Sequence, residues 1–150
     1  MSNPNRYRVV LDTNVILDAG SRWVMSDPPV PLPENSLSLL VHRVAIGHDG
    51  LFCLDILHEY AEKLEDLHHP AVRIERYLRY LTQCFKFVYI EKFYCDPRPE
   101  DQDDTIFILC ALNGKAHLLI SSDPHLLKIR SAYDPPQICT PTEACVPLAV

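Results

Sequence analysis

The 150 residues, 47% hydrophobic and 23% charged, suit one globular domain with its own core; two would be strained. No run reaches the ~20 apolar residues of a membrane helix, and the opening Met1-Ser2-Asn3-Pro4-Asn5-Arg6 lacks a signal's apolar stretch, so a cytoplasmic protein without membrane contact is expected. A net charge of −6 argues against a broadly basic nucleic-acid binder, yet leaves room for carboxylates gathered around a cation.

Val9-Val10-Leu11 is a short, β-branched apolar run that reads as a buried strand ending at Asp12. Thr13 to Ala19 follows as a short helix stopped by Gly20. Residues 21–35 hold four of the thirteen prolines and no periodicity, which predicts a long loop; Trp23, Val24 and Met25 in it could anchor a partner or pack on the core. Leu37, Leu40, Val41 and Val44 give a helical face ended near Gly47 and Gly50, and Leu51-Phe52-Cys53-Leu54 reads as a second buried strand. Asp55 can cap a helix to about Leu67, with Leu57, Tyr60, Ala61, Leu64 and Leu67 as its apolar face.

Pro70 begins another helix, with Ile74, Tyr77, Leu78 and Leu81 inward, and residues 85–90 are a third strand. After a turn-rich connection over 94–102, Asp103 or Asp104 opens a helix to Asn113, ended by Gly114 as a helix-stop glycine. His117 to Ser121 is a fourth strand, Asp123-Pro124 starts a short helix, and Gln137-Ile138-Cys139 is a fifth strand. Thr140-Pro141-Thr142-Glu143 spells a capping box with proline at the first helical position. Six cysteines (Cys53, Cys84, Cys95, Cys110, Cys139 and Cys145) form no C-x-x-C pair and mostly fall in apolar runs, so buried free thiols are expected rather than zinc ligands.

Strands separated by helices predict an α/β fold, a parallel sheet with helices on both faces. Such sheets place ligands beyond the carboxyl ends of their strands. Asp12 follows the first strand directly, Asp123 stands just past the fourth, Asp104 opens the helix leading into the fourth, and Glu59 lies in the second turn after the second strand. Each alone reads as a helix cap or a solvated face. Together at one sheet edge they would repel by about 4 kcal/mol per pair at 4 Å and an effective dielectric of 20. Either their proton affinities rise or a cation sits among them. No lysine or arginine adjoins Asp12, Asp104 or Asp123 in sequence, so a hard divalent ion suits this all-oxygen set.

The order of these segments carries a resemblance. Val9-Val10-Leu11-Asp12-Thr13-Asn14-Val15, Ile56-Leu57-His58-Glu59-Tyr60, Asp103-Asp104-Thr105-Ile106-Phe107 and Leu118-Leu119-Ile120-Ser121-Ser122-Asp123 with Leu126-Leu127 are similar to the successive motifs of the PIN domain family, in particular its bacterial toxin-like branch. Ile138 with Thr140-Pro141-Thr142-Glu143 resembles the family's last strand and closing helix, so the likeness spans about residues 6–145. It implies a three-layer α/β/α sandwich with a central, mainly parallel five-stranded sheet, and metal-dependent endonucleolytic cleavage of RNA. By the same likeness Asp12, Glu59, Asp104 and Asp123 would hold Mg2+ or Mn2+, as one or two ions, with Asn14, Ser121 and Asp103 in support. Ser121 departs from the usual threonine but keeps the hydroxyl, and Cys53 stands where serine is common. The third acid is open among Asp101, Asp103 and Asp104, with Asp104 preferred for its distance to the following strand.

For RNA contacts, Arg73, Arg76 and Arg79 recur every three residues along a helix, a pattern read first as a solvated face; Lys92, Arg98 and Arg22 in loops compete with them. The resemblance also implies a small antitoxin partner and a homodimer. A PIN-like module that binds RNA or protein without cutting is the main alternative. An aspartyl phosphatase would want an acid two residues after Asp12, where Asn14 stands.

Overall fold

The computed structural model describes residues 6–20 and 36–150; the long loop expected over 21–35, with Arg22 and Trp23, lies outside the described residues. The strands are β1 (Arg8–Leu11), β2 (Asp49–Phe52), β3 (Lys86–Phe87), β4 (Leu118–Ile120) and β5 (Gln137–Cys139), in one all-parallel sheet of order β3-β2-β1-β4-β5. The helices are α1 (Thr13–Gly20), α2 (Ser36–Gly47), α3 (Leu54–Asp66), α4 (Ala71–Cys84), α5 (Thr105–Asn113), α6 (Pro124–Leu127) and α7 (Pro141–Leu148).

A strand covered on both faces must be apolar at every position rather than at alternate ones. Val9, Val10 and Leu11 of β1 and Leu119 and Ile120 of β4 are fully buried, as that rule requires. Right-handed crossovers place α1 to α4 on one face and α5 and α6 on the other. Accordingly α1 packs on α2 and α3, α2 on α7, and α5 across β1, β2 and β4. This is the expected three-layer α/β/α sandwich.

The chain leaves β1 for β2 and β3 on one side, then returns to lay β4 against the opposite side of β1. The switch point therefore falls between β1 and β4, and a crevice opens beyond their carboxyl ends. Two buried tyrosines hold the helical layer to that end. Tyr60 of α3 donates its hydroxyl to the Leu11 carbonyl, and Tyr77 of α4 donates to the Ile16 carbonyl at 2.7 Å.

Several boundaries differ from those read in the sequence. The second strand begins at Asp49 and ends before Cys53, which becomes the cap residue of α3 in place of Asp55, and Leu54 is 67% exposed. The face of α3 turned to the core is Ile56, Tyr60 and Leu64, while Leu67 is exposed. The third strand shrinks to two residues at the sheet edge. Gly114 ends α5 with right-handed backbone; Lys115 takes the left-handed conformation instead, at φ 53°. Glycine is needed at 114 for closeness, since a Cβ there would lie 2.8 Å from Val88 Cγ2 and 2.9 Å from Leu51 Cδ1. The capping box at Thr140 and Glu143 is present with both reciprocal hydrogen bonds. All six cysteines are free, and Cys53, Cys95, Cys110 and Cys139 are buried.

Candidate active site

Parallel pairing of Leu11 with Ile120 brings the ends of β1 and β4 side by side, and the Asp12 amide extends the ladder by donating to the Ile120 carbonyl at 2.9 Å. Asp12 is thus fixed in backbone and side chain alike. Its Oδ1 accepts from the Thr13 amide at 2.7 Å and its Oδ2 from the Ser121 hydroxyl at 2.6 Å. Ser121 Oγ in turn accepts from the Asp123 amide at 2.9 Å, so one fully buried hydroxyl joins the two strand ends. Asp123 caps α6, accepting from the His125 amide at 2.9 Å through Oδ1.

Asp104 closes a short 3-10 turn (Gln102–Asp104) that feeds α5, and Asp101 caps that turn by accepting from the Asp103 amide at 3.0 Å. Asp104 is only 8% exposed, and its Oδ2 is buried without any hydrogen-bond partner. Glu59, half-buried in the second turn of α3, is delivered to the same edge because its neighbour Tyr60 is bonded to the residue before Asp12.

All four acids singled out from the sequence, Asp12, Glu59, Asp104 and Asp123, line one cavity of about 140 Å³. Asn14 and Asp103 line it too, as does Asp101, so the ambiguity over the third acid reflects a real cluster. Asp104 is the buried member of the three, while Asp101 and Asp103 are exposed. The sequence reading missed Thr13 and Lys63, which complete the lining. Lys63 lies one helical turn after Glu59, and that spacing was the signal that could have found it. Arg73, Arg76 and Arg98 stand outside this cavity; in the same α4 stripe, Arg79 pairs with Glu75 at 2.5 Å.

The electrostatics follow from the crowding. Burial first, then the charges of Asp123 and Asp12, push the Asp104 carboxyl up to about 7. Burial also raises Asp12, against the hydrogen bonds from Ser121 and Thr13, and the charge of Asp123 adds to the rise. Glu59 is raised by burial and by Glu62, Asp103 and Asp12, with Lys63 opposing.

Among the described residues, no three carboxylate, imidazole or thiolate side chains stand as a ready-made ligand group. The fit to a divalent cation lies in donor chemistry. The cavity offers carboxylate oxygens, the donors a hard cation prefers, and the unpartnered Asp104 Oδ2 is a buried acceptor that such an ion would satisfy.

Among curated proteins and solved structures, no significant match is found. The family model of the PIN domain, a family generally made of nucleases that use divalent metal ions, matches residues 8–125 and so includes all four acids. With more than three quarters of its length matched, and the sheet and strand-end acids in place, the chain belongs to the PIN domain family.

Proposed function

We propose that the chain is a single PIN domain acting as a metal-dependent endoribonuclease that hydrolyses RNA phosphodiester bonds. The observation that carries this reading is the Asp104 carboxyl, buried at the switch-point crevice beside Asp12 and Asp123 with an oxygen that nothing satisfies. A buried acceptor of this kind costs roughly 1–3 kcal/mol, a cost that a stabilising fold would avoid and that a bound cation removes.

Asp12, Glu59, Asp104 and Asp123 would hold Mg2+ or Mn2+. When bound, such an ion lowers the pKa of water and offsets charge on the phosphate, and two ions can serve the attacking and leaving oxygens separately. The chain's own residues do the rest. Thr13 and Ser121 lock both oxygens of Asp12, so that carboxylate presents a fixed direction to the cavity. Ser121 ties Asp123 to the same frame through the Asp123 amide. Burial and the neighbouring charges of Asp123 and Asp12 raise the proton affinity of Asp104, and a cation bound beside it would favour its charged form. Glu59, less buried and raised in proton affinity, is the acid best able to take a proton from water at the cavity mouth. Asn14 and Asp103 bring further polar groups to the wall.

The resemblance to the toxin-like branch extends the reading to a toxin restrained by a small antitoxin and to a homodimer, and it supports RNA as substrate. The test is cleavage of a single-stranded RNA with manganese or magnesium, comparing the wild type with Asp12→Asn. The wild type should cut internally and stop on addition of EDTA, and the variant should be inactive. Equal traces of cleavage in both would leave a binding module instead.

A further inference from the structure

A cavity walled by carboxylates repels the polyanion it has to receive. Lys63 is the one basic side chain among the described residues that lines it. Its place is set by helix geometry. Ile56, Tyr60 and Leu64 face the core, which turns the Asp55-Glu59-Lys63 line, stepping one turn at a time, away from the core and along the rim. Other basic residues of the fold are committed to carboxylates: Arg6 and Lys86 to Asp49, Lys128 to Glu100, and Arg130 to Glu143. Lys63 forms no such ion pair among the described residues, although Glu59 lies on the next turn and its carboxylate is favoured by the Lys63 charge. The ammonium is exposed, carries three hydrogen-bond donors, and is held at the end of a flexible stem beside the acids.

We propose that Lys63 binds the substrate phosphate: its ammonium takes a non-bridging oxygen of the RNA backbone while the acids hold the metal, so that attraction at the rim offsets repulsion from the wall. This rests on the nuclease reading of the same cavity. It makes Lys63 a substrate-positioning cation in a chain whose net charge of −6 provides little general attraction for RNA.

The test uses the full chain as wild type, Lys63→Arg and Lys63→Met, with a fluorescein-labelled single-stranded RNA. Binding is measured by anisotropy in calcium over a range of salt, cleavage in manganese, and the manganese-induced rise in melting temperature serves as a check on the acids. Lys63→Met should bind about 10-fold more weakly, with a log–log salt slope shallower by about 0.7, as loss of one phosphate contact requires. Lys63→Arg should restore both, and all three proteins should keep the same melting response to manganese. Wild-type affinity and slope in Lys63→Met would overturn the proposal, as would absence of RNA binding by the wild type or a loss that Lys63→Arg does not rescue. A wild type that binds RNA in a Lys63-dependent way but never cuts it in manganese would instead sink the nuclease reading alone.

Discussion

The two ends of the sheet treat negative charge in opposite ways. At the amino end, Asp49 opens β2 beside Arg6 at 2.6 Å and Lys86 at 3.2 Å, and although burial works against it these partners hold its carboxyl below the usual range. At the carboxyl end, Asp12 and Asp104 are more buried than Asp49 and have each other and Asp123 for neighbours, and their proton affinities rise. The first arrangement is what a fold builds when charge is structural. The second leaves charge uncompensated where the topology opens a crevice, and that is the mark of a site completed by something from outside.

The contrast breaks most sharply in activity. Asp12→Asn and Asp104→Asn should each lower RNA cleavage by at least ~100-fold, while Asp49→Asn should stay within about twofold; initial rates in manganese measure all three. Next in size is metal-linked stability. Manganese at about 100 times its Kd should add roughly 2.7 kcal/mol, or about 5–10 °C in melting temperature for a chain of this size. Asp104→Asn should lose most of that rise and Asp49→Asn none of it.

Without metal, the two ends should impose opposite pH dependences. Asp104 is raised from 3.8 to about 7, so its contribution is fully present below the lower value and is lost as pH rises through the upper one. Asp49 is lowered, so its contribution is present above the ordinary aspartate range and is lost as pH falls through its depressed value. In EDTA, then, Asp104→Asn should flatten the fall in melting temperature between about pH 4 and 7, and Asp49→Asn the fall on the acid side below that range. A profile unchanged by Asp104→Asn would show that its carboxyl is not under strain. The smallest effect expected is the loss from Asp49→Asn at neutral pH, about 1 kcal/mol or less, measured by urea denaturation.

What the sequence made legible follows the same division. β1 and β4 could be read because a parallel strand buried on both faces is an unbroken apolar run, and the capping box because its two side chains satisfy each other locally. The four acids could be placed because Asp12 and Asp123 sit at strand ends, Glu59 in the second turn of α3 and Asp104 directly before α5, and all four line one cavity. Features decided by distant partners were hidden. Residues 85–90 look like a strand, but at the sheet edge pairing lasts only as long as β2, and beyond Val88 the backbone of Glu91 and Lys92 is taken by the Asn113 side chain. Gly114 does end α5, but with right-handed backbone, and the close packing of Val88 and Leu51 against it could not be read locally. On α3 the expected inward residues Tyr60 and Leu64 are buried, but Ile56 joins them, Leu67 is exposed, and Ala61 lines a groove against Ile74 and Leu78 of α4. Lys63 had a local signal, its place one turn after Glu59, but only the assembled cavity shows it beside the other acids.

The most direct test is equilibrium binding of manganese to the purified protein, followed by calorimetry or by loss of the free-ion spin signal, for wild type and Asp104→Asn. Saturable binding by the wild type that weakens by at least ~10-fold in the variant is the predicted result. Equal binding by both, or none by the wild type, would contradict the assignment of the strand-end carboxylates as a metal site.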